Sequence, residues 1–228
     1  MSNLQITKEV KDYLDKALTR FDDGERTTIN AAIDRVSKLH EHQSPRPSGE
    51  PYINHIIRVA SRIVNKFDLV DVELFVAALY HDTVEDQLEG LCAPLEATRN
   101  NAWMILSQDY GRRVCEAVMG VTNPEAMGDF DLVVKNEQYI NHVINSCNSN
   151  NDSFVVKLSD FFDNAMCLQE LTEEHIIAKG SKKYRPLFDY FINRLNGDEL
   201  SISQPCRQKL IDQIVLQRKY VDGLLKKI

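Results

Sequence analysis

Apolar positions recur at helical spacing along almost the whole chain. Residues 26–41 place Ile29, Ile33, Val36 and Leu39 three and four apart, the pattern of one buried helix face. Ile53, Ile56, Ile57, Ala60, Ile63 and Val64 repeat that stripe behind Pro51, a residue suited to a first helical turn. The apolar run from Leu74 to Tyr80 predicts a short buried helix over 71–81 that ends at His81-Asp82. Further helices are expected over 94–109, 111–120, 132–147, 153–169, 173–195 and 205–226. A charged helix over 5–22 is expected to break at Asp22-Asp23-Gly24. Thr172 can cap the 173–195 helix, with Glu173 and Glu174 in its first turn. The last helix carries Leu210, Ile211, Ile214, Val215, Val221 and Leu224 on one side and ends in Lys226-Lys227.

The gaps are equally readable. Ser44-Pro45-Arg46-Pro47-Ser48-Gly49 cannot continue a helix, and 121–131 reads as a long loop. Phe154-Val155-Val156 is the single strand-like stretch and is too short to outweigh its helical surroundings. The pattern predicts an all-α fold, with residues 1–228 forming one domain without internal repeat or linker. A length of 228 residues fits that reading, or at most two small domains.

Composition narrows the function classes. A chain that is 43% hydrophobic and 27% charged is globular rather than disordered. Its longest apolar run is far too short to cross a membrane. The opening MSNLQITKEVKDYLDK lacks a secretory pattern, so no membrane partner and a cytoplasmic location are expected. Cysteines at 92, 115, 147, 167 and 206 are odd in number and form no CxxC pair, which argues against disulfides and a thiolate zinc cage. The net charge of −7 argues against a nucleic-acid partner but leaves room for a small anion in a local basic pocket.

Chemistry concentrates at His81-Asp82-Thr83-Val84-Glu85-Asp86. An adjacent His-Asp pair arises often by chance, and Glu85 and Asp86 could simply face water. Yet four ionisable groups within six residues, directly after an apolar helix, are costly to bury unless a cation joins them. His55 and Asp160 each interrupt an apolar helical stretch. A lone histidine there is more often a hydrogen-bonded core residue, but a buried aspartate needs a cation or several donors. Together His55, His81, Asp82 and Asp160 make a two-His, two-Asp set, suited to Mn²⁺, Fe²⁺ or Zn²⁺ rather than Ca²⁺.

Four stretches then carry a resemblance: Ser48 to His55 (SGEPYINH), Ala77 to Asp86 (AALYHDTVED), Gly120-Val121-Thr122, and Val156 to Asp160 (VKLSD) with Asn164. Their order and spacing resemble the HD-type hydrolase domain of the RelA/SpoT family, most closely its stand-alone small alarmone hydrolases, over roughly residues 28–195. The resemblance implies Mn²⁺ held by His55, His81, Asp82 and Asp160, with Glu85 and Asp86 orienting and deprotonating water. It implies Arg46 packing on a guanine base, with Ser48 nearby, Asn164 on the ribose side and Tyr184 at the nucleotide. The implied reaction removes the 3′-diphosphate of (p)ppGpp as pyrophosphate. Nothing resembles the family's synthetase domain, so net synthesis is not expected.

This sequence departs from the family at Pro47, where a basic residue is usual, at Ile56, usually proline, and at Phe161-Phe162-Asp163, usually Arg-Leu-His. Pro47, Phe161 and Asp163 are expected to alter the nucleotide pocket. They motivate a second reading, a phosphohydrolase of another nucleotide such as NADPH. A third is a non-catalytic nucleotide sensor. Lys179, Lys182, Lys183 and Arg185 surround Tyr184 and are either a field for phosphate or a solvated helix face. Arg112-Arg113 reads as a surface pair, and the 205–226 helix can pack within the domain or between subunits of a homo-oligomer.

Overall fold

The computed structural model describes residues 6–124, 131–166, 168, 171, 173–197 and 199–227. It is all-helical, and no strand occurs among the described residues. The elements are α1 (Lys8–Leu18), α2 (Asp23–Leu39), α3 (Tyr52–Asn65), α4 (Val72–Leu79), α5 (Thr83–Asp86), α6 (Leu88–Leu91), a 3-10 turn (Pro94–Glu96), α7 (Arg99–Tyr110), α8 (Arg112–Val121), α9 (Leu132–Ser149), α10 (Asn151–Ala165), α11 (Glu174–Leu195) and α12 (Gln204–Leu225).

Helix α10 is the axis of the packing. It touches α3, α4, α8, α9 and α11, and every residue from Ser153 to Asp163 is buried. That explains the strand-like run at Phe154-Val155-Val156, for a helix enclosed on all sides needs no polar face. Ser159 Oγ donates to the Val59 carbonyl at 2.7 Å and pins α10 to α3. Buried apolar residues from α1 to α12 form one contiguous cluster. Helix α12 packs on α11, and Gln217 Nε2 reaches across to the Ala165 carbonyl at 2.7 Å, satisfying an acceptor at the end of α10.

Helix boundaries depart from the periodicity where polar side chains cap the backbone. The Asp22-Asp23-Gly24 break opens α2 rather than closing α1. Asp22 accepts from the Glu25 amide while Glu25 accepts from the Asp22 amide, a reciprocal cap. The single helix expected over 94–109 is divided because the Thr98 hydroxyl accepts from the Asn101 amide and restarts the helix there. Thr172, most of the 121–131 loop and Cys167 lie outside the described residues. The remaining cysteines are free thiols.

Helices α8 and α10 approach closely at Gly120. A methyl group there would stand 2.8 Å from Ser153 Cβ and closer still to its hydroxyl. Ser153 cannot yield easily, because its hydroxyl is bonded to the Ala117 carbonyl at 3.2 Å. Gly120→Ala is therefore expected to destabilise the fold by about 1–3 kcal/mol through overpacking, read as a lower urea midpoint at unchanged slope.

Candidate metal centre and active site

Ligand atoms of His55, His81 and Asp160 lie within 4.8 Å of one another, and Asp82 reaches both histidines from beside His81. His55 comes from α3, His81 and Asp82 from the turn between α4 and α5, and Asp160 from α10. The Nε2 atoms of His55 and His81 are 3.2 Å apart. Asp82 Oδ2 lies 3.4 Å from the first and 3.0 Å from the second. Asp160 Oδ1 lies 3.5 Å and 3.8 Å from the same two atoms. Both imidazoles are buried.

The other ring nitrogens decide what this cluster can hold. His81 Nδ1 faces the Ala78 carbonyl at 2.8 Å, and His55 Nδ1 faces the Asp163 carboxylate at 2.8 Å. Both partners are acceptors, so both Nδ1 atoms carry hydrogen. Each Nε2 is thereby turned toward the other and toward two carboxylate oxygens. Four donors so arranged repel one another unless a cation lies among them. An ion with bonds of about 2.1 Å sets adjacent ligands about 3.0–3.4 Å apart, close to the spacings observed. The donor set and its geometry fit a divalent transition metal. A proton is drawn by the same field: burial opposes the imidazolium at His81, but Asp82 outweighs it and pushes the group up to about 9.

Around the cluster lies a shell of oriented partners. The Tyr52 hydroxyl donates to Asp82 Oδ2 at 2.6 Å. Lys157, buried, donates to Asp160 Oδ2 at 2.9 Å, and Asn164 donates to Asp160 Oδ1. Asp163 accepts from Arg58 Nε at 2.8 Å and from Arg62 Nη2 at 2.7 Å. Burial opposes its ionisation, but His55 and Arg58 hold its carboxyl well below the usual range. Arg58 continues to Glu50 through two bonds of 2.6 Å. Of these supporting partners only Asn164 and Asp163 were singled out from sequence, and Asp163 in a different role. Arg58 and Arg62, one turn apart within an apolar stripe, were a usable signal, since two cations on a buried face require carboxylates.

Glu85 is half-buried, its oxygens accepting from the Asn123 amide at 2.6 Å and the Asn123 side chain at 2.9 Å. Asp86 is exposed and accepts from Gln43 at 2.8 Å. A cavity of about 380 Å³ opens beside the cluster, its wall including Arg46, Pro47, Ser48, Tyr52, Asn164 and Tyr184. Arg46 Nη2 donates to Asn164 Oδ1 at 3.0 Å. The loop holding Arg46 closes through bonds from Gly49 N to Arg46 O and from Arg46 N to Glu50 O, with Gly49 at φ 83°, where a side chain would be strained.

Two expectations are corrected. Phe161 and Asp163 do not line the cavity: Phe161 packs in the aromatic cluster of Tyr184, Phe188 and Phe191, and Asp163 stands behind His55. Arg185 contributes nothing to a cavity field, because Asp189 and Asp222 neutralise it, and Lys182 is outside the lining. Arg112 and Arg113 pair with surface carboxylates as expected.

Asp163→Asn keeps the shape but weakens the acceptor at His55 Nδ1 and takes a carboxylate charge from Arg58 and Arg62. It is expected to weaken Mn²⁺ or Zn²⁺ binding by about 10–100-fold. It should also lower stability by about 3–5 kcal/mol. Metal titration of the folded variant checks this; unchanged affinity would contradict it.

A family model for the HD domain matches residues 32–195. The guanosine-3′,5′-bis(diphosphate) 3′-pyrophosphohydrolase MESH1 of Danio rerio is 27% identical over 187 residues, covering 82% of this chain and 92% of the relative. A probable guanosine-3′,5′-bis(diphosphate) 3′-pyrophosphohydrolase of Mycoplasma genitalium is 30% identical over 95% of this chain, though the match spans 28% of that longer protein. A solved structure, described as a metazoan ortholog of SpoT that hydrolyzes ppGpp, aligns with a TM-score of 0.58 at 22% identity. It covers 84% of this chain and 95% of the other, a likeness of fold. The matched segment contains all four converging side chains, and the chain belongs to the HD domain family.

Proposed function

We propose that this chain is a Mn²⁺-dependent hydrolase that removes the 3′-diphosphate of (p)ppGpp, returning GDP or GTP and pyrophosphate. One observation carries the reading. The cavity wall contains Tyr52 and Asn164, which are bonded directly to Asp82 and Asp160, so a ligand in the cavity abuts the cluster. The names of the relatives point to the same substrate.

In this reading His55, His81, Asp82 and Asp160 hold the ion, which supplies Lewis acidity toward a phosphoryl oxygen and toward water. Tyr52 holds Asp82 by donating to the oxygen that faces the histidines, and Lys157 holds Asp160 by donating to the oxygen that faces away from them. Glu85, held by Asn123, orients the attacking water, and with Asp86 it accepts the proton. Arg46 lies against the guanine, Ser48 beside it and Asn164 toward the ribose, while Tyr184 forms the opposite wall. Water adds to the phosphorus next to the 3′ oxygen, the bond between them breaks, and pyrophosphate leaves. The case for another nucleotide such as NADPH now rests on Pro47 alone, because Phe161 and Asp163 lie outside the cavity wall.

Incubation of the protein with Mn²⁺ and ppGpp is expected to yield GDP and pyrophosphate. Release of orthophosphate, or cleavage confined to another nucleotide, would overturn the assignment. Glu85→Gln with Asp86→Asn is expected to cut turnover by at least about 100-fold while nucleotide still binds. A sensor would show binding in both proteins and turnover in neither.

A further inference from the structure

Cations near the cavity divide by what neutralises them. Arg58 and Arg62 are paired with Glu50 and Asp163, and Lys157 with Asp160. Arg46 lies 3.6 Å from Glu50 and 3.9 Å from Asp163. Lys183 is different. Its ammonium stands over the ring of Tyr139 at 4.2 Å and that of Tyr184 at 5.2 Å, half-buried, and no carboxylate among the described residues is ion-paired with it. Lys179, one helical turn earlier, is exposed and likewise without a carboxylate among the described residues. Both lysines line the cavity.

Ring faces attract an ammonium but leave its charge in place. Burial, and then the nearby Lys157, depress the Lys183 pKa, and the fields of Asp160, Glu85 and Asp82 offset this only in part, leaving opposition that a bound anion would remove. Positions four apart on α11 lie about 6 Å apart along the helix axis and share a face. A short phosphate chain can follow such a pair. The direction is set by the lining. Tyr52 and Asn164 mark the end of the cavity at the metal cluster, whereas Lys179 lies with Leu171 and Ile176 on wall that bonds to neither the four clustered side chains nor their partners.

We propose that Lys183 and Lys179 form the subsite for the substrate's 5′-phosphates, Lys183 on the inner phosphate and Lys179 nearer the mouth. This rests on the hydrolase reading above and adds to it a determinant of specificity: a guanosine 3′-diphosphate is a good substrate only when it is also phosphorylated at the 5′ position.

Steady-state cleavage by the whole protein with Mn²⁺ tests this on pppGpp, ppGpp and guanosine 3′-diphosphate bearing a free 5′ hydroxyl. One charge-assisted contact corresponds to about tenfold or more, so kcat/KM is expected to fall at least that far when the 5′-phosphates are absent. Lys183→Met should raise KM for pppGpp and ppGpp by a similar factor and leave the 5′-hydroxyl substrate nearly unchanged. Lys179→Met should act chiefly on pppGpp. Equal use of all three substrates by the parent protein overturns the subsite, a comparison that stands even where a variant fails to fold. So does a Lys183→Met effect that is the same on every substrate. Cleavage of none of the three overturns the hydrolase reading and the subsite with it, a result distinct from cleavage that ignores the 5′ position.

Discussion

Two imidazole nitrogens stand 3.2 Å apart in the buried centre of the molecule, each ring already committed on its far side to an acceptor. With two carboxylate oxygens beside them, the inward-facing atoms are all lone-pair donors. Such a group is tolerable only around a positive charge, and the surrounding structure is arranged to keep it in place. Helix α10 must cross both α3 and α4, or Asp160 never meets the histidines. Ser159 pins that crossing by bonding the α3 backbone, and the contact of Gly120 with Ser153 seats the same helix on α8. Packing and site geometry therefore share the same residues.

The charges behind the cluster obey a related constraint. Asp163 is buried and ionised, which is affordable because Arg58 and Arg62 bond it on one side and His55 on the other. Arg58 then reaches Glu50, and Glu50 anchors the turn that carries Arg46. One hydrogen-bonded chain thus runs from the back of His55 to the loop at the cavity mouth. The ring orientation of a candidate metal ligand and the position of a candidate base-stacking arginine are set by a common set of ions.

Much of this was legible in the sequence, and the rest was hidden for physical reasons. His55 and Asp160 betrayed themselves by interrupting apolar stripes, and the His81–Asp86 segment by its density of titratable groups. Helix positions followed from periodicity, but their ends did not, because Thr98 and Asp22 impose boundaries through single side-chain bonds to the backbone. Asp163 was misplaced because the resemblance put a departure from the family next to Asn164 and suggested the nucleotide pocket. Adjacent positions on a helix differ by about 100° in direction, so Asn164 faces the cavity while Asp163 faces α3. Tyr52 and Lys157 carried no local signal that distinguished them from ordinary helix residues.

Charge compensation separates the cations that serve the fold from those that serve a ligand. In an acidic chain the arginines near the centre each stand beside a carboxylate: Arg46 lies 3.6 Å from Glu50, while Arg58 and Arg62 are bonded directly to Asp163. Removing either from its pair would leave a buried ion exposed to a low-dielectric surrounding. Lys183 breaks that relation, half-buried yet resting on two aromatic faces. A charge in the cavity wall that is ion-paired with no carboxylate among the described residues has its natural complement outside the protein. The same reasoning explains why proline can occupy position 47 without stripping the cavity of positive charge: Lys179 and Lys183 of α11 line the same cavity.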